Sequence, residues 1–94
     1  MTRDEILTKL REQKEWLAEQ GIIDVRLYGS FARDEAREDS DVDLMVDLAK
    51  PIGWEFYGIE EELGRRLGRT VEMATEDAMH RLVLKRALAE AVGV

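Results

Sequence analysis

Two aspartates stand two residues apart in an apolar stretch near the middle of the chain. Asp41 and Asp43 alternate with Val42 and Leu44, so in a β-strand both carboxylates would share one face and the apolar residues would take the other. Like charges at that spacing repel each other unless a cation offsets them. Two carboxylates with phosphate oxygens and water suit Mg²⁺. The pair therefore predicts a metal site, although a solvated acidic strand face has the same pattern.

A glycine–serine pair ends the preceding apolar run. Gly29 and Ser30 follow Tyr28 and precede a segment, 31–37, that is predicted to form a short helix. Backbone N–H groups at the start of a helix, together with a serine hydroxyl, can bind phosphate. An ordinary turn also favours Gly and Ser, so the pair alone does not decide between a phosphate site and a turn.

A third carboxylate lies in a short apolar segment further along the chain. Glu72 stands between Val71 and Met73, which predicts that its side chain lies on the polar face of a third strand. Beside two metal-binding aspartates it could bind a second ion and accept a proton from an attacking hydroxyl group. Taken alone, such a glutamate is more often simply solvated.

Helices and strands alternate along the chain. A capping box at Thr2 and Glu5 predicts the start of the first helix, and Gly21 its end. Helical spacing also predicts helices at 31–37 and at 56–67, and a last helix capped by Thr75. Strands are predicted at 22–28, 41–47 and 70–74. The order αβαβαβα favours an α+β fold of two layers, with a small mixed sheet flanked by helices.

Composition and charge exclude several classes of function. The 94 residues carry 21 acidic and 14 basic side chains, a net charge of −7, which argues against binding nucleic acid through a broad basic surface. No apolar run approaches the roughly 20 residues of a membrane helix, so no membrane association is expected. The chain has no cysteine and no signal-like start, which favours a cytoplasmic protein. Its length predicts a single domain, residues 1–94.

The three carboxylates and the glycine–serine pair together resemble a known signature. Gly29-Ser30, ten residues, then Asp41-x-Asp43 is similar to the G-S-x10-D-x-D pattern of minimal nucleotidyltransferases, in the DNA polymerase β-like nucleotidyltransferase superfamily. The similarity runs through LYGSFARDEAREDSDVDLMV and extends to Glu72 and to the closing segment 86–94. The resemblance covers nearly the whole chain and implies a nucleotidyltransferase palm fold.

The resemblance also implies a role for each matching residue on the phosphate side of the site. Gly29 and Ser30 would hold the β- and γ-phosphates of a nucleoside triphosphate. Arg33, in the G-S-x-A-R stretch, would offset the triphosphate charge or anchor the loop, and Arg37 is a weaker candidate for the same work. Ser40 would contact a phosphate just before the metal-binding strand.

On the metal side, the resemblance implies that Asp41 and Asp43 bind two Mg²⁺ ions and that Glu72 completes the site and helps to activate the acceptor hydroxyl. Two residues depart from the family pattern. Asp34 stands where the family often has Gly, which adds negative charge near the phosphate site. Glu72 stands where the family often has Asp, one methylene shorter.

A chain of this length is not expected to include a second domain that holds an acceptor. Minimal nucleotidyltransferases of this kind resemble the antitoxin half of toxin–antitoxin modules, whose partner is a HEPN-domain ribonuclease toxin. The resemblance implies transfer of AMP from ATP to a tyrosine hydroxyl of that toxin. The alternatives are a non-catalytic module that neutralises its toxin by binding alone, nucleotidyl transfer to a small molecule, and a glycosyltransferase that uses the DxD pair.

Four further residues do not belong to this signature. Trp54, Phe56 and Tyr57 cluster at the start of the predicted third helix. Aromatic side chains contribute much to cores, so core packing is favoured over a partner-facing or base-stacking surface. His80, the only histidine, is predicted to be a surface or capping residue rather than a catalyst.

Overall fold

The computed structural model describes all 94 residues, Met1–Val94. Five α-helices, four strands and one 3₁₀-helix follow each other along the chain. The helices are α1 Arg3–Glu12, α2 Lys14–Glu19, α3 Gly29–Ala32, α4 Glu55–Leu67 and α5 Arg81–Glu90, with the 3₁₀-helix at Glu76–Ala78. The strands are β1 Ile22–Tyr28, β2 Val42–Leu48, β3 Val71–Ala74 and β4 Val92–Gly93. None of the helices has the length and apolar character needed to cross a membrane.

The four strands form one mixed sheet in the order β3-β2-β1-β4. β1 pairs antiparallel with both β2 and β4, and β2 pairs parallel with β3. This arrangement confirms the predicted α+β fold with a small mixed sheet flanked by helices. β4 was not predicted, because two residues are too short a segment to show alternation.

The main core lies between one face of the sheet and three helices. Leu27 and Leu44 are register partners in β1 and β2 and are fully buried. Apolar residues at helical spacing in α1, α2 and α4 pack against this face; they are Ile6, Leu7, Leu10, Leu17, Ile59, Leu63 and Leu67. Because strand side chains alternate, the neighbours of Leu27 and Leu44 along their strands face the opposite side.

The first predicted helix is divided in two at Gln13. The capping box at Thr2 and Glu5 is confirmed. Gln13 ends α1 and begins α2, with φ −100° and ψ 0°, outside the ideal helical range. The apolar spacing continues across this break, from Leu10 to Leu17, so the sequence pattern did not reveal it.

The predicted short helix at 31–37 is wrong in its bounds. Helix α3 begins two residues earlier and ends at Ala32. Asp34 adopts a left-handed conformation, with φ 59°, which stops the helix. Its Oδ1 accepts a hydrogen bond of 2.8 Å from the backbone N–H of Arg3, so this aspartate anchors the start of α1.

The predicted cap of the last helix is also wrong. Thr75 precedes the 3₁₀-helix, and its side chain makes no capping hydrogen bond. His80 caps α5 instead, because its Nδ1 accepts a 3.2 Å hydrogen bond from the N–H of Leu82. The prediction that His80 is a capping residue is confirmed.

The aromatic cluster is only partly in the core. Phe56 packs against the core, but Trp54 is 88% exposed and Tyr57 is 66% exposed, so core packing was the wrong interpretation for these two. The core face of α4 is set by Ile59 and its equivalents one and two turns on. Tyr57 lines an open cavity together with Thr70 and Val71, and a partner-facing or base-stacking role for the two exposed rings stays a prediction.

The outer edge of β3 is partly closed by a side chain. Met73 is register partner to Leu44 in β2, and its backbone N–H donates a 2.7 Å hydrogen bond to Oε2 of Glu60 in α4. That N–H therefore does not remain available at the sheet edge. At the other edge of the sheet, β4 has only two residues.

Candidate active site

The strand register places three polar residues side by side across the sheet. Asp43 in β2 is opposite Tyr28 in β1 and beside Glu72 in β3. Neighbouring strands lie about 4.8 Å apart, so these side chains form a row on the face away from Leu44. Asp41 lies one residue before β2 begins, two residues from Asp43. The structure therefore brings together the three carboxylates that the sequence singled out.

The carboxylates are close enough to affect one another. The pKa of Asp43 is raised to about 6, mainly by burial and then by the negative charges of Glu72 and Asp41. Burial also raises the pKa of the Tyr28 phenol, with the charge of Asp43 as the next cause. A cation would relieve this repulsion, so the donor set suits a divalent metal. The structure shows no group of three acidic, histidine or cysteine side chains already arranged to hold a metal ion.

Glycine is required where the backbone meets this row. Gly29 has φ +76°, and a Cβ atom there would collide with the carboxylate of Asp43. Both the left-handed backbone and the close approach exclude larger residues. The glycine–serine pair is therefore a constrained turn against the acidic row, which its composition alone did not establish.

A fourth carboxylate reaches the same turn from the end of α5. The N–H of Gly29 donates a 2.6 Å hydrogen bond to Oε2 of Glu90, and Nη1 of Arg33 donates to the same oxygen at 2.8 Å. The structure thus places two predicted phosphate-binding residues in contact with each other through Glu90. Sequence reasoning missed Glu90, because it lies 61 positions after Gly29 and carries no local signal.

Comparison with known proteins supports the resemblance stated from the motifs. Residues 4–93 match the family model of the nucleotidyltransferase domain. The chain belongs to the nucleotidyltransferase domain family. The predicted nucleotidyltransferase enzyme and its minimal-nucleotidyltransferase resemblance are thereby confirmed.

Relatives cover the chain almost completely. It is 35% identical over 96 residues to the protein adenylyltransferase MntA of Thermococcus cleftensis, covering 100% of this chain and 97% of that protein. A solved structure provisionally described as a minimal nucleotidyltransferase superimposes with a TM-score of 0.84 at 28% identity and covers 100% of this chain and 97% of that one. A toxin–antitoxin crystal structure with AMP-PNP shares the fold, with a TM-score of 0.68 at 16% identity, over 99% of this chain and 72% of that one.

The remaining predicted residues of this nucleotidyltransferase lie between the Gly29 turn and Asp41. Ser30 follows Gly29 within α3 and is partly buried. Ser40 immediately precedes Asp41, and its hydroxyl accepts a 2.8 Å hydrogen bond from the N–H of Arg37. The carboxylate of Asp34 points to the start of α1, so its charge is held by a backbone donor. The roles of Ser30 and Ser40 in phosphate binding stay predictions.

The connection that leads to Asp41 is held by Arg69, which lies between α4 and β3. Arg69 donates hydrogen bonds to the backbone oxygens of Arg37, at 3.0 Å, and of Glu38. Its guanidinium also lies 5.1 Å from the centre of the Phe31 ring, at cation–π distance. Arg69 therefore links the connection before β2 to the start of β3, the two strands that carry the acidic row. Arg37 therefore contributes its backbone groups to this connection: its carbonyl oxygen accepts from Arg69 and its N–H donates to Ser40.

The stability of the metal-free nucleotidyltransferase should depend on pH through Asp43. The pKa of Asp43 is about 6 in the folded chain against an ordinary 3.8, so the folded state keeps a proton that the unfolded state has lost between these values. Its contribution to stability is full at pH below 3.8 and is lost as pH rises through about 6. Thermal unfolding in EDTA should be compared between wild type and Asp43→Asn over this pH range. The fall in stability with rising pH that Asp43 causes should appear only in wild type. Parallel curves for both proteins would contradict the assignment.

Proposed function

We propose that this chain is a Mg²⁺-dependent nucleotidyltransferase that moves AMP from ATP to a tyrosine hydroxyl of a partner protein. The partner is a HEPN-domain ribonuclease toxin, and the modification silences it, which makes this chain a cytoplasmic antitoxin that works as a single domain, residues 1–94. The observation that carries the proposal is the acidic row of Asp43 and Glu72 directly against the Gly29 turn. The relative named protein adenylyltransferase MntA supports the choice of AMP and of a protein acceptor.

The three carboxylates would hold the metal, with Asp41 and Asp43 as the main ligands and Glu72 beside them. Bound Mg²⁺ supplies charge neutralisation for the triphosphate and for the attacking and leaving oxygens. The three carboxylates fit this task because, after burial, the negative charges of Glu72 and Asp41 raise the pKa of Asp43, and a cation would relieve that repulsion. The protein's share of catalysis is then to position ATP and the acceptor.

The phosphate side of the site would use the turn at Gly29. Ser30 would donate its hydroxyl to a phosphate oxygen, and Arg33 and Ser40 would contact the same triphosphate. The chain carries a net charge of −7, so an arginine at the turn itself is the group best placed to offset phosphate charge.

Proton transfer would fall to Glu72. Its side chain is exposed and lies beside Asp43 in the sheet, so a hydroxyl from another molecule can reach it. In the transfer step, the tyrosine oxygen forms a bond to the α-phosphorus as the bond to pyrophosphate breaks. The phenolic proton passes to the Glu72 carboxylate, and pyrophosphate leaves with its negative charge.

The deciding experiment is intact-mass analysis of a HEPN-domain protein encoded beside this chain. It would be incubated with the chain, Mg²⁺ and each of the four NTPs in turn. We expect a mass gain of one or more adenylyl groups with ATP, and none when Asp41 and Asp43 are both replaced by Ala. Peptide mapping should place the modification on a tyrosine. If the partner stays unmodified but binds the wild-type chain and the double variant equally well, the chain neutralises its toxin by binding alone.

A further inference from the structure

We infer that Glu90 is a positioning residue that holds the Gly29 turn and Arg33 in their phosphate-binding arrangement. The inference rests on the proposed function and deepens it, because Glu90 lies on no strand of the acidic row and the resemblance assigned it no role. It reaches the turn from the C-terminal end of α5.

One oxygen of Glu90 receives both donors. Oε2 accepts the Gly29 N–H at 2.6 Å and Nη1 of Arg33 at 2.8 Å. The Glu90 side chain is only 16% exposed, so these are partly desolvated, charge-assisted hydrogen bonds, stronger than neutral ones. A carboxylate in this position fixes the backbone of the turn and the guanidinium relative to each other.

The backbone on both sides of Glu90 is fixed by the fold. One turn earlier, Ala87 is 1% exposed. Two residues later, β4 begins and pairs with β1 at Leu27 and Arg26. A side chain held on rigid elements positions its partners more accurately than one on a free loop. The end of α5 therefore acts as a fixed support for the turn.

The arrangement leaves one end of Arg33 available. Its Nε donates to Glu35 at 2.9 Å and its Nη1 donates to Glu90, whereas Nη2 has no protein partner. Gly29, Arg33 and Glu90 line one small open cavity together with Arg86. With the guanidinium held on two sides, Nη2 is the donor that remains for a phosphate oxygen.

The test is equilibrium binding of Mg²⁺·AMP-PNP by isothermal titration calorimetry, which needs no acceptor protein. Glu90→Ala should weaken binding by about tenfold, the lower end of the loss seen when an outer hydrogen-bond partner of a site is removed. Glu90→Gln keeps an oxygen acceptor and should bind within about threefold of wild type. Thermal unfolding of each variant establishes that it is folded at the temperature of the titration.

Glu35→Ala is the matched control. It removes the other carboxylate from Arg33 but leaves the contact of Glu90 with Gly29, and Glu35 is 61% exposed, so binding should change less than twofold. If Glu90→Ala binds the nucleotide as tightly as wild type or more tightly, Glu90 competes with phosphate and the inference is overturned. Wild type that binds no nucleotide would instead overturn the proposed function itself.

Discussion

Replacing Asp43 by Asn should abolish nucleotidyl transfer while making the metal-free chain more stable. Loss of a metal-binding carboxylate removes several kcal/mol of transition-state stabilisation, so we expect transfer to fall by about 10³-fold or more. The same change removes a charge that burial and the carboxylates of Glu72 and Asp41 oppose. Because Asp43 is only half-buried, solvent screens part of this repulsion. The expected gain is about 1 kcal/mol, or roughly 4 °C in Tm at neutral pH.

The two effects are measured on the same preparation. Transfer is followed by the mass of the partner protein, and Tm is recorded in EDTA and again with Mg²⁺. Added Mg²⁺ should raise the Tm of wild type and have little effect on Asp43→Asn. Asp47→Asn is a useful control, since Asp47 is an exposed residue near the other end of β2 and its loss should alter neither property. Full activity in Asp43→Asn would show that Asp43 is not part of the site.

Replacing Gly29 by Ala should destabilise the fold and impair transfer together. An alanine there would have to adopt the left-handed conformation, φ +76°, and its methyl group would collide with the Asp43 carboxylate. Backbone strain and overpacking together should cost about 3 kcal/mol. The displaced turn and carboxylate should reduce transfer by about 10²-fold, the penalty typical of a 1 Å misplacement. Urea unfolding and the intact-mass assay check the two parts.

A substitution at Gly68 measures the cost of backbone strain without the collision. It also has a positive φ, +73°, but a Cβ there would meet no atom within 4 Å. Gly68→Ala should therefore cost only the backbone strain, about 1 kcal/mol, and leave transfer unchanged. Combining Gly29→Ala with Asp43→Ala should cost less stability than the sum of the single changes, because the shorter side chain removes part of the collision. Equal losses for Gly29→Ala and Gly68→Ala would rule out a specific contact with Asp43.

The strands that carry the acidic row were predictable because their signals are local. Val42 and Leu44 are fully buried, and Val71 and Met73 nearly so, so alternation correctly predicted that Asp43 and Glu72 turn away from the core. Alternation does not specify which strands are neighbours. The resemblance to a known family implied that Glu72 lies near Asp43, and the sheet register then showed the two residues side by side.

The contacts around the Gly29 turn were not predictable because they join distant parts of the chain. Glu90 meets Gly29 across 61 positions and Arg69 meets Glu38 across 31. No sequence spacing predicts either contact, because only tertiary packing brings these residues together. Tyr57 illustrates the opposite error: its aromatic character suggested burial, but its position on α4 turns it to solvent.

The hydrogen bond from the Met73 backbone to Glu60 restricts how a protein partner can approach. An exposed strand edge is a template for a foreign strand, which would extend the sheet by main-chain pairing. Here one edge is interrupted by the Glu60 carboxylate, and the other ends in a strand of two residues. Under the proposed function, we therefore expect a protein that delivers a hydroxyl group to Glu72 to be recognised through side chains of a loop or a helix rather than by strand pairing. The same interruption protects the chain against ribbon-like self-assembly, which a sheet this small would otherwise invite.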